Sequence, residues 1–296
     1  MKQSIILITI LLFTSVGLAQ TPTESIVRRY MPIKMYKSKF NKQLTKKDSL
    51  NIRVIDNDTL ILLEDQTLPK GVKVPYEPKD STFLSYYRKV AFQHKNDIYS
   101  NKTSMKYWKN DISIFFSKSI SKKSKKEFMS FLKQIDNAVD SLRINEARRL
   151  EDSNYAIYYA GDYEYEPRLY NSKTSNYYIS WNHNKIYRGA IRLVKNELSI
   201  EEMLQFKMRE FFIKSLGYFK FIDDFDCDSY FSNCYSPNKK LTLMDLELLK
   251  YHYSYGICKG TDLKTFDEQH ARAQEVLQKT GQRMYFIHLT ENETSE

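Results

Sequence analysis

Between residues 128 and 142, Phe128, Phe131, Leu132, Ile135, Val139 and Leu142 recur at three- and four-residue spacing. That spacing lines one face of an α-helix, and the charged residues fall mainly on the other side. On either side of this helix the pattern changes. Ile112–Phe116, Tyr155–Tyr159, Tyr177–Trp181 and Ile186–Val194 are short runs rich in β-branched and aromatic residues, which predicts strands. Ser199 followed by Glu202 is a capping box, so a second helix begins near Ile200. Ile200, Met203, Leu204, Phe211 and Ser215 share its buried face, and Gly217 is placed to end it in a left-handed conformation. Leu241–Tyr253 predicts a closing helix with a stripe of Leu243, Leu246, Leu249 and Tyr253. Either Thr242 caps that helix or Asp245 supplies negative charge to its first turn. Thr265–Gly281 predicts a more polar helix, with a frayed tail beyond Leu289. The order strand, helix, three strands, helix predicts an α+β fold with a mixed sheet packed on helices.

The chain before residue 104 has a different texture. Asn51–Ile55 and Thr59–Leu63 flank Asp56-Asn57-Asp58, turn formers between two β-rich runs, which predicts a hairpin. Lys70-Gly71, Pro75 and Pro78 mark an irregular connection, and Ser81–Gln93 a short helix. Residues 20–103 therefore read as an N-terminal extension or accessory module, 104–262 as the main domain, and 263–296 as a C-terminal helix and tail. Residues 1–19 have the pattern of a cleaved secretory signal. Lys2 supplies the positive start, Ile5–Leu12 is apolar apart from Thr9, and Gly17-Leu18-Ala19 offers small residues for cleavage. The run is shorter than the about 20 residues of a membrane span. The mature protein is expected to be secreted or periplasmic in a bacterium, without a membrane span.

The formal net charge is +10. Much of it comes from Lys118–Lys126 and from Lys34–Lys47. Such a surface suits nucleic acid, anionic headgroups or acidic glycans, or it is a solvated face of helices and loops. No nucleic-acid motif accompanies it, so no nucleic-acid partner is expected. Cys227, Cys234 and Cys258 predict one disulfide and one free thiol in an exported protein, with the pairing left open by the sequence.

The candidate chemistry lies in Met208-Arg209-Glu210-Phe211-Phe212-Ile213-Lys214-Ser215-Leu216-Gly217-Tyr218. A zinc-peptidase helix reads His-Glu-x-x-His-x-Leu-Gly, with two imidazoles one turn apart on the metal and a Glu that activates water. Aligned on Leu216-Gly217, Glu210 and Lys214 hold the two ligand positions, and Phe211 stands in place of the base. Lys220 falls where the longer motif has its third ligand. Ammonium groups repel zinc, and Phe211 cannot take a proton, so no metal or other cofactor is expected. Glu210 and Lys214, one turn apart, form a favourable helix pair, or a stronger cross-link if they face a cleft.

From about Lys106 to about Gly260 the chain resembles a family of secreted, zincin-like bacterial proteins of unknown function (domain of unknown function 2927). Arg209-Glu210, Ser215 and Leu216-Gly217 match its helix, while Phe211 and Lys214 depart from it. Tyr107-Trp108-Lys109 followed by Ile112–Phe116 resembles its entry. Asp223-Asp224, Ser229-Tyr230-Phe231, and Leu241-Thr242-Leu243-Met244-Asp245 through Tyr253 resemble its later elements. The resemblance implies a zincin-like fold that is inactive as a metallopeptidase. Its old cleft then binds a peptide, protein or envelope glycan, with a peptide laid along an edge strand at Ile186–Val194 and met by Tyr187, Arg188, Arg192 and Glu210.

The alternative is a hydrolase of another class acting on cell-envelope glycan or peptide. Asp162, Glu164 and Glu166 alternate with Tyr163 and Tyr165, the composition of a sugar cleft and also of a strand edge or loop. Asp223, Asp224, Asp226 and Asp228 crowd one loop, but the spacing of a helix-loop-helix calcium site is absent. His183 and His252 are the remaining metal-ligand types considered. His252 is expected on its helix surface.

Overall fold

The computed structural model describes residues 30–40, 44–55, 58–63, 71–92, 104–197, 201–254 and 256–289. The predicted signal segment and the tail beyond 289 lie outside them, as do Ser199 and the turn residues Asp56 and Asn57. The chain divides into two compact units, Met1–Lys70 and Gly71–Glu296. The first holds β1 (Tyr30–Pro32), α1 (Ile33–Phe40), α2 (Lys46–Leu50), β2 (Ile52–Ile55) and β3 (Asp58–Leu62). The predicted hairpin is β2 antiparallel to β3, and β1 adds to the far side of β3. Thr45 and Asp48 close a capping box on α2, and Tyr36 donates to Asp48 at 3.3 Å. Tyr36 and Ile61 are this unit's buried hydrophobic residues among those described.

The second unit opens with β4 (Gly71–Pro75) and α3 (Ser81–Phe92) and continues through β5 (Tyr107–Trp108), β6 (Ile112–Phe116), α4 (Lys122–Ala138), β7 (Ile144–Glu146), β8 (Tyr155–Tyr159), β9 (Asn176–Asn182) and β10 (Lys185–Leu193). It ends with α5 (Glu201–Gly217), α6 (Leu243–Tyr253), α7 (Leu263–Thr280) and β11 (Tyr285–Leu289). The fold is α+β with a mostly parallel sheet flanked by helices. The structural boundary differs from the expected one after Thr103. Phe83, Leu84, Tyr87, Val90, Ala91 and Phe92 of α3 join the main core, so this helix belongs to the larger unit. Phe266 of α7 joins the same core, and β11 pairs with β4, so the C-terminal helix is not a separate appendage.

In the central sheet the order is β5-β10-β8-β6-β7, with β9 also paired to β10. Strand β10 runs parallel to β5 and β8 and antiparallel to β9. Because β9 covers one side of β10, β5 and β8 share the other side end to end. This corrects the expectation that Ile186–Val194 is an edge strand: β10 is paired on both sides, and the edge is β9. The β9–β10 turn is His183-Asn184, with φ of 45° and 66°. A two-residue turn with both residues at positive φ matches the twist of the strands it joins.

The apolar stripe of α4 is buried as predicted at Phe128, Phe131, Leu132 and Ile135. The helix stops at Ala138, so Val139 and Leu142 reach the core from the turn that follows. Helix α5 buries Leu204, Met208, Phe211, Phe212, Ile213 and Leu216, while Lys207, Glu210 and Lys214 stay partly exposed and pair with one another. Its last carbonyls, which lack helical partners, are met by aromatic donors. Trp108 Nε1 donates to Ser215 O at 3.0 Å, and Tyr253 Oη to Leu216 O at 2.5 Å. Tyr155 Oη donates to Ser215 Oγ at 2.9 Å.

The end of α5 also differs from expectation. Tyr218, not Gly217, takes the left-handed position, with φ of 54°. Phe219 N–H then reaches back to Lys214 O at 2.9 Å and closes a Schellman-type cap. In α6 the predicted stripe is rotated. Leu243 is 89% exposed, while Asp245, Leu248, Leu249, Tyr251, His252 and Tyr253 are buried. Thr242 and Asp245 form a capping box, so both expected roles are present together.

Candidate functional site

Around Glu210 the structure gathers a cluster of lysines and aromatic rings. Glu210 Oε1 accepts from Lys214 Nζ at 2.8 Å, and Oε2 accepts from Lys207 Nζ at 3.2 Å. Burial opposes ionisation of Glu210, but Lys214 and Lys207 outweigh it and hold the carboxyl below its ordinary value. The pair is thus more than a surface contact. Lys207 lies over the rings of Phe206 and Phe211, and Lys214 lies 4.6 Å from the Phe221 ring centroid.

Two further residues complete this surface and were not legible in the motif. Lys239 lies over both Phe206 and Phe221, at 6.0 and 5.8 Å. Tyr235 stands edge-on to Phe206 at 5.1 Å and is 59% exposed. Both belong to the segment that follows the Cys227–Cys234 disulfide. Cys258 is the free thiol, and burial pushes it up from its ordinary pKa.

The edge strand borders the same helix. Tyr177 packs on Phe211 at 5.7 Å between ring centroids, and Trp181 on Tyr218 at 5.4 Å. Lys106 lies over Trp181. Phe211 is buried, a wall residue rather than a proton acceptor. Lys220 is not brought to the motif. The chain turns at Tyr218, Lys220 N–H bonds to Val90 O at 2.9 Å, and no ion pair joins the Lys220 side chain to Glu210 among the described residues.

The peptide-contact residues expected on β10 fare unequally. Tyr187 is 54% exposed. Arg188 donates to Tyr165 O at 2.9 Å, and Arg192 is buried, donating to Glu164 and to Ser172 O at 2.8 Å. The correction is physical: both guanidiniums hold segment 161–175 across the sheet. The acidic residues there are engaged as well. Glu164 is held by Arg192 and Tyr158, Glu166 is buried beside Arg168, and Asp162 accepts from Ser119 and Tyr159 N–H. In the later acidic loop, Asp224 pairs with Lys89 and Asp228 with Lys240.

His183 is exposed in the β9–β10 turn. His252 is fully buried, contrary to the expected surface position. Its Nε2 donates to Lys106 O at 2.8 Å, which leaves Nδ1 to accept from Tyr87 Oη at 3.0 Å. Burial brings its pKa down to about 3.

Zinc does not fit these residues. Both Glu210 oxygens are occupied by ammonium groups, and the second ligand position is itself a cation. Among the described residues no His, Cys, Asp and Glu side chains gather as a metal-holding group of three or more. Among those residues, too, no helix is long and apolar enough to cross a membrane. No protein-family model matches the chain, and no curated protein matches it.

Proposed function

We propose that this chain is an exported, zincin-like protein that binds a peptide at the surface formed by α5 and β9 without cutting it. The observation that carries this reading is the locking of Glu210 between Lys207 and Lys214, 3.2 and 2.8 Å away. An ion pair stands where a zincin has its metal, so the helix has a cross-link in place of a catalytic centre.

Apart from the short β7 between α4 and β8, the succession β6, α4, β8, β9, β10, α5 follows the strand, helix, three strands, helix order expected of a zincin subdomain and so supports the resemblance. Edge strand β9 lies beside α5 through Tyr177 and Trp181. A peptide added to β9 takes its affinity from backbone hydrogen bonds, which need no metal. The aromatic rings and lysines beside it supply side-chain selectivity. Export is supported by the Cys227–Cys234 disulfide, since such bonds persist in oxidising compartments. The alternative, a hydrolase of another class acting on cell-envelope glycan or peptide, has less support, because each acidic residue of 162–166 already serves a structural partner.

The two tryptophans make the test simple. Trp108 is 2% exposed and Trp181 is 40% exposed. A peptide on β9 shifts the emission of Trp181, and Trp181→Phe abolishes the shift. Peptide-array hits are then incubated with the protein and analysed by mass spectrometry. Cleavage that is lost on chelation and in Glu210→Gln defeats this reading, as does the absence of any peptide-induced shift.

A further inference from the structure

We propose that Lys239 is the seat of a ligand carboxylate, so that the α5 surface selects peptides bearing an acidic side chain or a free C-terminus. This rests on the peptide-binding reading above and names the chemistry of its ligand.

Lys239 is half-buried, with its ammonium near two phenyl faces, Phe206 and Phe221. Its hydrogen bond goes to a neutral acceptor, Ser232 O, at 2.6 Å. No carboxylate lies within ion-pair distance of it among the described residues. The charges in electrostatic reach are Glu210, Asp245 and Lys214. Glu210 is already shared by Lys207 and Lys214. Asp245 is fully buried and accepts from Ser229 Oγ at 2.5 Å, Tyr230 N at 3.0 Å and Thr242 N at 3.1 Å. Three ammonium groups therefore share the field of Glu210, whose two oxygens are each already hydrogen-bonded to a lysine. Burial lowers the Lys239 pKa by more than Glu210 and Asp245 raise it, and Lys214 lowers it further.

An anion entering beside Lys239 meets Lys214 across the same ring, at 4.6 Å from its centroid. A carboxylate there accepts a charge-assisted hydrogen bond from Lys239 and gains from the nearby charge of Lys214. The exposed ring of Tyr235 stands 5.1 Å from Phe206 and offers a peptide a side-chain contact that a free inorganic ion cannot use.

The test uses the full mature chain and four matched peptide pools of random sequence. One pool has a free C-terminus with Asp and Glu allowed, and one is amidated with Asp and Glu allowed. The third has a free C-terminus without acidic residues, and the fourth is amidated without them. Trp181 emission reads binding, and the variants are Lys239→Met, which keeps the stem on the rings, and Lys239→Arg, which keeps the charge. The expected result is at least tenfold weaker binding of the fourth pool, and a similar loss for carboxylate pools in Lys239→Met. Lys239→Arg stays within about threefold of the parent. The second and third pools separate side-chain from C-terminal recognition. Binding by all pools alike, with Lys239→Met unaffected, overturns the carboxylate site and leaves peptide binding standing. Failure of every pool on the parent protein overturns both.

Discussion

Gly217 and His252 approach so closely that a Cβ at residue 217 would stand 2.8 Å from His252 Nε2, and 2.3 Å from the Phe219 ring. Gly217→Ala raises helix propensity by up to about 1 kcal/mol. Here that gain is outweighed, because His252 is fixed by hydrogen bonds at both nitrogens and Phe219 is buried. The expected net loss is about 2–3 kcal/mol, typical of overpacking. Urea denaturation of the variant checks it, and a neutral or stabilising result would contradict the packing described.

The buried histidines make stability depend on acid. Folding lowers His252 to about 3 and His270 to about 4, from 6.5. Above about pH 6.5 both states carry neutral imidazoles and the terms vanish. As pH falls below 6.5 the unfolded chain binds protons that the folded chain refuses, so stability falls. The slope approaches about 1.4 kcal/mol per pH unit for each histidine. It ends for His270 near pH 4 and for His252 near pH 3. Denaturation midpoints from pH 7 to 4 measure the slope, and His270→Gln is expected to remove about half of it. A flat profile across that window would refute the assignment.

Glu210 has two ammonium partners, so removing one is not equivalent to orphaning it. Lys214→Met is expected to cost about 1 kcal/mol, since the carboxylate is 15% exposed and Lys207 remains. The Glu210 pKa should rise in the variant, read by NMR titration of a labelled carboxyl. Unchanged stability and unchanged titration would reduce the pair to a surface contact.

Reduction of Cys227–Cys234 loosens the segment that carries Tyr235 and Lys239. Loop-closure entropy for a separation of 7 residues gives about 2–3 kcal/mol. The double Cys→Ser variant should therefore melt lower and bind peptides more weakly, while native β9–α5 contacts survive. Calorimetry and Trp181 emission report the two effects separately. In native protein, Cys258 should react slowly with a thiol reagent, because burial disfavours its thiolate.

Local patterns in the sequence carried much of this fold. The three- and four-residue spacing around Phe128–Ile135 places α4, and the turn formers after Ile55 place the β2–β3 hairpin. Pairing between distant segments was not legible in this way. Tyr107–Trp108 and Ile144–Glu146 are too short to show a period, yet they extend the sheet. The edge was misassigned because β10 has β9 on one side and β5 and β8 in tandem on the other, an arrangement that no local pattern encodes. The site was half legible. Glu210 and Lys214 follow from helix spacing, but extending the motif to Lys220 assumed that the chain continues past the helix as a zincin's does. It turns at Tyr218, and Lys239 reaches the cluster from a separate segment. His252 looked like a surface residue because its helix places buried polar groups, Asp245 included, on the core side, where an apolar stripe was expected.

The β4–β11 ribbon has a mechanical consequence. Its register sets Gly71 opposite Leu289, so the entry and exit of the larger unit leave from the same end of one antiparallel pair. Tension between those points loads the ribbon's hydrogen bonds one after another, in the manner of a zipper, and the central parallel sheet feels no force until the ribbon has opened. Strands β4 and β11 thus act as a mechanical fuse for the larger unit.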